Sequence, residues 1–369
     1  MLPSMRRALT VVLAAALGVT IASVPAMAAT SNTWTIAASN VQAPGYQTAT
    51  LLADGRVLAA GGQGTKAELF NPATGAWSVA ASMNRPRAYA TATLLPSGKV
   101  LVAGGFDGTG PLASAELYDP AANRWTLTGS MTTGRLQHSA TLLANGKVLV
   151  AGGNLAGYNN RTATAELYDP ATGQFTATGA MTRPRAIFTL TLLLDGTVLA
   201  ADWGQTDLYD PATGRFTPTA PLPTDIDAVS AVRLNDGRVL VVGGVRGSTT
   251  AATIYVPGTR SWQAAASLNY SHNYAPWNEV LLADGRVLVV GGFGCCTYQP
   301  HVAEVWDPAD GFWTLTGQMA NARESNFGTV RLPDGRVLVD GGAIAFTYCD
   351  NEGGDCYTEP TYSTEIYTP

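Results

Sequence analysis

The chain has 369 residues, a formal net charge of −5 at pH 7, and 13% charged against 46% hydrophobic residues. This acidic, weakly charged composition argues against nucleic acid or an anionic lipid surface as the main partner. It also excludes an intrinsically disordered chain, and the 40 glycines and 21 prolines indicate many turns.

The N-terminal segment has the features of a secretory signal peptide. Arg6 and Arg7 precede an apolar run over residues 8–24, and Ala26-Met27-Ala28 fits the small-residue cleavage pattern. We therefore expect cleavage of residues 1–28 and a secreted domain over residues 29–369. An uncleaved membrane anchor is the alternative, but the run is short for a span and contains a glycine. No membrane span is expected after cleavage.

A tight-turn signature recurs seven times in the rest of the chain. It consists of Asp, Asn or Ser followed by Gly, at Asp54-Gly55, Ser97-Gly98, Asn145-Gly146, Asp195-Gly196, Asp236-Gly237, Asp284-Gly285 and Asp334-Gly335. The copies follow one another at intervals of roughly 40 to 50 residues, with short strand-like stretches inside each interval. This period predicts one all-β, seven-bladed β-propeller rather than several globular domains.

The third repeat shows how a blade is predicted to form. Residues 139–151 read as a hairpin of two apolar strands, because Asn145-Gly146 tolerates the positive φ of a tight turn. Gly152-Gly153 ends the second strand and permits close approach of neighbouring backbone. A third strand over residues 165–168 and an outer strand over 174–177 follow. Each blade is thus predicted to hold four antiparallel strands.

The seventh repeat is predicted to be completed by the other end of the chain. Its third strand, Glu365-Ile366-Tyr367, is followed almost at once by the last residue of the sequence. The stretch Thr33–Ile36, which precedes the first repeat, supplies the missing outer strand. Such pairing removes two free sheet edges and closes the ring, and we expect a monomer.

The four cysteines are expected to be oxidised in an exported chain. Pairing Cys349 with Cys356 closes a small loop, and it leaves Cys295 and Cys296 as an adjacent-residue disulfide or as free thiols. Two crossed pairings between these sites remain open. The acidic residues 350–355 lack the spacing of a calcium loop, and the histidines and cysteines lack zinc spacing. No metal is expected.

The double glycine after an apolar strand, a tyrosine in the third strand and a tryptophan in the fourth resemble the kelch repeat over residues 33–369. Longer turns such as TLLADGRVLAAGG and VRLPDGRVLVDGG resemble the catalytic propeller of galactose oxidase and glyoxal oxidase-like copper radical enzymes. The resemblance implies the same fold that the repeat period predicts.

The resemblance also implies where a copper site would lie. That family holds copper with two tyrosines and two histidines, and one tyrosine is thioether-linked to a cysteine. Tyr89 matches the linked tyrosine, but Tyr46 stands in place of the cysteine and Ser325-Asn326 in place of a Tyr-His pair. None of the 3 histidines matches a ligand position, so neither copper nor another cofactor is expected.

The loops that join the blades carry the candidate ligand-binding residues. Their recurring arginines suit carboxylate or sulfate groups, whereas a structural role repeated with the scaffold is the favoured alternative. Their aromatic side chains suit stacking on a sugar ring. Trp203 breaks the repeat, because Ala201-Asp202-Trp203 replaces a glycine pair. The predicted set is Arg87, Arg135, Arg185, Trp203, Tyr274, Trp277, Tyr298 and Arg323.

The leading interpretation is a secreted binding or scaffold protein that recognises a glycan or a protein through this loop-rich face. A carbohydrate-active enzyme (a mutarotase, epimerase or lyase) with its site at the central channel is the alternative. Its acid–base groups would come from His138, Asp227, His272 and Glu324. A relative of the copper radical oxidases without oxidase activity is the third interpretation. The sequence contains no nucleophile elbow, phosphate loop or dinucleotide fingerprint.

Overall fold

The computed structural model describes residues 32–40, 46–156, 160–202, 204–223, 230–243, 250–272, 279–292, 301–323, 325–345 and 358–369. The chain divides into two units, Met1–Ser31 and Asn32–Pro369, and all described residues belong to the second. The predicted signal peptide therefore lies outside the described residues. Within the described ranges, no helix has the length and apolarity needed to cross a membrane.

The described strands form seven antiparallel sheets, one for each predicted blade. In the first six blades the strands are ordered along the chain from the innermost to the outermost. The first three blades comprise β2 (Gln47–Leu51), β3 (Val57–Gly61), β4 (Ala67–Asn71) and β5 (Ala76–Val79); β6 (Thr91–Leu94), β7 (Val100–Ala103), β8 (Ala115–Asp119) and β9 (Arg124–Leu127); and β10 (Ser139–Leu142), β11 (Val148–Ala151), β12 (Ala165–Asp169) and β13 (Gln174–Thr178).

The next three blades repeat the same order. They comprise β14 (Thr189–Leu192), β15 (Val198–Asp202), β16 (Gln205–Asp210) and β17 (Arg215–Pro218); β18 (Ser230–Arg233), β19 (Val239–Val242), β20 (Ala252–Val256) and β21 (Ser261–Ala264); and β22 (Glu279–Leu281), β23 (Val287–Val290), β24 (Ala303–Trp306) and β25 (Trp313–Leu315).

The seventh blade is built from both ends of the described chain, as the sequence predicts. From the channel outward it contains β26 (Ser325–Arg331), β27 (Val337–Ala345), β29 (Thr364–Thr368) and β1 (Thr33–Ala37). Trp34 of β1 lies opposite Tyr367 of β29. One further strand, β28 (Thr358–Pro360), pairs with the far end of β27. β27 therefore runs past the glycine pair Gly341-Gly342, because β28 extends the ladder beyond it.

The first strands of the blades lie side by side around the central channel. Each contacts the first strand of the next blade, and β26 contacts β2 so that the ring closes. The second strands are almost wholly buried between neighbouring blades. The hydrophobic core is consequently a series of inter-blade layers, in which side chains such as Val102 and Tyr118 of blade two pack on Leu58 and Ala60 of blade one.

Glycines stand where backbone geometry requires them. Gly55 has a φ of 87° in the first tight turn, which is the left-handed conformation predicted for this position. Gly104 has a φ of 65°, and a Cβ atom there would lie 2.6 Å from the carbonyl oxygen of Arg135. The glycine pairs therefore allow the connection between two blades to lie directly on the end of the second strand.

Outer-strand tryptophans hold adjacent blades together. Trp125 packs on Tyr118 with ring centroids 5.0 Å apart, and its Nε1 donates to the carbonyl oxygen of Ala81 in the preceding connection at 2.8 Å. Trp313 makes the equivalent bond to Ala266 at 2.9 Å. A tryptophan at this position contributes both buried ring area and an inter-blade hydrogen bond.

Candidate functional site

Four of the arginines predicted to bind ligand are buried inside the scaffold. Each precedes a first strand and forms an ion pair with an acid on the third strand of the same blade. The pairs are Arg87–Glu116 at 3.0 Å, Arg135–Glu166 at 3.0 Å, Arg185–Asp207 at 2.8 Å and Arg323–Glu365 at 3.2 Å, with every side chain at most 2% exposed. This corrects the expectation of ligand contact and agrees with the structural alternative.

The same arginines also bind backbone carbonyl groups. Arg87 donates from Nη1 to the carbonyl oxygens of Gly104 at 3.0 Å and Ser114 at 2.6 Å. Burial lowers the pKa of Arg87, and the charge of Glu116 opposes that effect. Because both groups are withdrawn from water, their mutual pairing is what makes their burial tolerable. We call each such arrangement a clamp: a cation before the first strand, a backbone carbonyl in or just after the second strand (Gly104, Gly152, Ala200 or Gly341), and an acid on the third strand.

The partner acids were missed at the sequence level, although a signal exists. They occupy one position of the third strands, most often as Ala-Glu, as in Ala115-Glu116, Ala165-Glu166 and Ala303-Glu304. A charged residue within an otherwise apolar strand that is buried on both faces points to a buried ion pair.

The two histidines predicted as acid–base candidates lie in different blades. His138 is fully buried, and its Nε2 lies 2.9 Å from Oγ1 of Thr91. Burial, assisted by the charge of Arg135, lowers the pKa of His138 to about 3. The ring is therefore neutral at neutral pH and is not poised for proton transfer there. His272 instead occupies the cation position of the clamp in blade six, with its Nε2 3.2 Å from Oε1 of Glu304.

The remaining predicted site residues lie outside the described residues. These are Asp227 and Glu324 of the acid–base set, the aromatic residues Trp203, Tyr274, Trp277 and Tyr298, and the cysteines Cys295, Cys296, Cys349 and Cys356. Their roles and pairings stay predictions.

A cavity of about 260 Å³ lies among the first strands of blades seven, one, two and three. Its described lining carries no ionisable carboxyl, imidazole or amino group. The lining consists of Tyr46, Gln47, Thr48, Ala49, Tyr89, Ala90, Thr91, Ala92, Ser139, Ala140, Phe327, Gly328 and Thr329. We call this cavity the channel mouth. Two phenol rings, one phenyl ring and several hydroxyls make its surface amphipathic and uncharged.

Tyr46 and Tyr89 form an aromatic pair in the channel mouth. Their ring centroids are 4.3 Å apart, and the ring planes are inclined by 48°. Both side chains are half-buried. The aromatic faces left in contact with the cavity can pack against the apolar face of a sugar ring, while threonine and serine hydroxyls can bond its hydroxyl groups.

An arc of left-handed residues surrounds this part of the channel. Tyr46, Tyr89, Gln137 and Ile187 have φ angles of 62°, 59°, 53° and 56°, and each lies two residues before the hydroxyl side chain of a first strand. Backbone hydrogen bonds join three of these residues, because Gln137 N donates to the Tyr89 carbonyl at 3.1 Å and Ile187 N to the Gln137 carbonyl at 2.9 Å. Such strain, worth roughly 1–3 kcal/mol per residue, is held only where surrounding structure imposes it.

The channel-mouth residues do not fit a copper radical centre. Tyr46, which stands in place of the thioether cysteine, offers a phenol ring rather than a thiol to Tyr89. The described lining provides phenols, aliphatic hydroxyls and an amide, which do not reproduce the tyrosine and histidine donor set that the resemblance implies. Within the described ranges, no cluster of three or more His, Cys, Asp or Glu residues suits a metal ion.

Two buried carboxyl groups break the repeat, and sequence reasoning missed both. Asp340 stands in the second strand of blade seven, where the equivalent residues are alanine or valine. It accepts hydrogen bonds from Asn40 at 2.9 Å, Gln47 at 2.6 Å and Thr364 at 2.7 Å. Burial nevertheless raises the pKa of Asp340 to about 6.

Glu279 is the second such group, at the start of the first strand of blade six. Its Oε1 accepts a hydrogen bond from Val242 N at 3.1 Å, whereas its Oε2 has no hydrogen-bond partner among the residues that the structure describes. Burial raises the pKa of Glu279 well above its ordinary value, against the hydrogen bonds from Val242 and Ser230. A signal was present in the sequence, because none of the other described first strands contains an acidic residue.

The closed ring of seven four-stranded sheets defines a seven-bladed β-propeller. Residues 87–132 match the family model of the Kelch motif. No curated protein sequence matches the chain significantly.

Two solved structures illustrate the likeness. A fungal alcohol oxidase of the AA5 family, in complex with copper, is 23% identical with a TM-score of 0.75, and the match covers 91% of this chain and 76% of the oxidase. YjhT is 16% identical with a TM-score of 0.57, and the match covers 76% of this chain and 99% of YjhT. At these identities the similarity concerns the fold alone.

Proposed function

We propose that this protein is a secreted, monomeric kelch propeller that binds an uncharged glycan at the channel mouth. The observation that carries the proposal is the aromatic pair of Tyr46 and Tyr89 in a cavity with an uncharged, hydroxyl-bearing lining. Sugar sites combine an aromatic platform with a few placed polar groups, and this lining has both. Secretion rests on the signal-peptide features of residues 1–28.

The chemistry of the cavity favours a neutral sugar over a charged ligand. The four buried arginines are engaged by their acids, so their guanidinium groups do not line the cavity. A carboxylate or sulfate that entered the cavity would lose its water and find no compensating cation among the described lining residues, which costs free energy. A hydroxyl-rich, uncharged ring exchanges its water for the hydroxyls of Thr48, Thr91 and Ser139 at a smaller cost.

The alternative of a carbohydrate-active enzyme uses the same channel. Of its acid–base candidates, His138 is neutral and its Nε2 contacts Oγ1 of Thr91, and His272 is held in a clamp. Asp227 and Glu324 lie outside the described residues, so that alternative stays a prediction.

A glycan array followed by calorimetric titration tests the proposal. Asparagine tolerates the left-handed backbone, so Tyr46→Asn and Tyr89→Asn remove the rings without adding backbone strain. We expect each variant to weaken the affinity for the best array ligand by roughly tenfold. Tyr362→Asn is the matched control, because Tyr362 is 42% exposed and is not part of the cavity lining. An empty array, or unchanged affinity in folded Tyr89→Asn, would contradict the proposal.

A further inference from the structure

His272 replaces arginine in one of the clamps that join the blades. In blades two and three, the arginine Nη1 donates to the first carbonyl of the glycine pair, at 3.0 Å for Arg87 to Gly104 and 2.8 Å for Arg135 to Gly152. His272 makes both equivalent contacts, from Nδ1 to the Gly291 carbonyl oxygen and from Nε2 to Glu304 at 3.2 Å. The imidazole therefore occupies the place and the two contacts of a guanidinium group.

The two acceptors determine which form of the ring completes the clamp. A carbonyl oxygen and a carboxylate can only accept hydrogen bonds, and a neutral imidazole has a single N–H to donate. The doubly protonated ring donates to both acceptors. Arginine also donates to both, because it stays protonated near neutral pH. Among the described residues, Glu304 is the charged group that contacts the ring.

Glu304 ties this clamp to the blade connection that precedes His272. Its oxygens accept hydrogen bonds from Asn269 N at 2.9 Å, Asn269 Nδ2 at 2.7 Å and Tyr270 N at 2.8 Å. Burial acts to raise the pKa of Glu304, but the hydrogen bonds from His272 and Asn269 outweigh it and lower the pKa. The carboxylate is thus anionic, and it needs a cation beside it because it is buried.

We propose that the joint between blades five and six is a pH-dependent clamp, complete only while the His272 imidazole carries both protons. Loss of one proton removes one of its two hydrogen bonds and leaves Glu304 without a neighbouring positive charge. The segment from Asn269 to His272 is then held less firmly. The arginine clamps described in blades two, three, four and seven keep their charge over the same pH range, so the loss of this hydrogen bond concerns the clamp of blade six.

The test compares wild type with His272→Arg, which restores the cation found in the other clamps. With 3 histidines in the chain, ¹⁵N NMR resolves each ring, and the variant identifies the His272 signals. We expect both His272 nitrogens to be protonated while the clamp is complete and one of them once it has opened. Between pH 5.5 and 8, the unfolding equilibrium constant of wild type should rise by roughly tenfold more than that of His272→Arg.

The comparison isolates the clamp from the other groups that titrate. Asp340 and Glu279 are present in both proteins, so their contributions cancel in the difference, whereas Glu304 belongs to the clamp that is being tested. His301→Gln is a matched control, because the described hydrogen bond of the His301 side chain goes to the Met319 carbonyl and involves no charged group. A His272 ring that stays singly protonated in folded protein at every pH from 5.5 to 8, or an identical pH dependence of wild type and His272→Arg, would overturn the proposal.

Discussion

At the scale of single residues, the buried charges of this propeller lie where one blade meets the next. Arg87, Arg135 and Arg323 each connect a blade-joining segment to an acid and to a glycine carbonyl. Asp340 plays a related part at the ring closure, where it binds Asn40, which follows β1, and Gln47 of blade one. Such groups define how two blades are placed, because an alternative placement leaves a buried charge unpaired.

Asp340 is expected to make the protein more stable at mildly acidic pH. The carboxyl titrates at about 6 when folded and near 4 when unfolded, so its contribution is complete below about pH 4 and is lost as the pH rises through 6. Between pH 4.5 and 7.5 this amounts to about 2 kcal/mol. In urea titrations, Asp340→Asn should reduce the loss of stability by that amount. The control Asp236→Asn, at an exposed carboxyl group, should show the same change of unfolding free energy with pH as wild type. The same result for Asp340→Asn would contradict the prediction.

Residue-scale features were only partly predictable from the sequence. The recurrence of arginine before the first strands was visible, and repetition favoured the structural role that the structure shows. The acids were not paired with them, because Arg87 and Glu116 meet only after the strand register brings two distant segments together. The left-handed Tyr46 and Tyr89 were also missed, since neither residue type signals positive φ.

At the scale of elements, β1 is the strand on which ring closure depends. Trp34 packs on Tyr367 with ring centroids 5.2 Å apart, and its Nε1 donates to Thr316 Oγ1 of blade six at 3.1 Å. One side chain thus connects β1 to its own blade and to the preceding blade. The sequence predicted this strand because a Trp-containing stretch stood before the first repeat and none followed the last. It did not predict β28, whose three residues carry no strand pattern.

Trp34→Ala is expected to lower the free energy of unfolding by roughly 2–4 kcal/mol, because it removes buried ring area and an inter-blade hydrogen bond. Chemical unfolding monitored by circular dichroism measures the change. Ile36→Ser on the same strand is the control, since Ile36 is 67% exposed, and it should change stability by no more than about 0.5 kcal/mol. Equal effects of the two substitutions would show that β1 closes the ring through its backbone alone.

At the scale of the whole molecule, the repeated blade forms the ring, and residues that depart from the repeat make individual blades different from one another. Blades seven, one, two and three surround the uncharged channel mouth. Blade six differs by carrying His272 in its clamp and Glu279 in its first strand. The repeat period was sufficient to predict the ring, whereas the position of the cavity depends on first-strand side chains that meet only when the ring closes.

A crystal structure of the protein with the best-binding oligosaccharide from the array would locate the glycan. We expect a sugar ring in the channel mouth, packed against Tyr46 or Tyr89, with its hydroxyl groups bonded to Thr48, Thr91 or Ser139. A ligand bound elsewhere on the propeller, with no sugar in the channel mouth, would contradict this expectation.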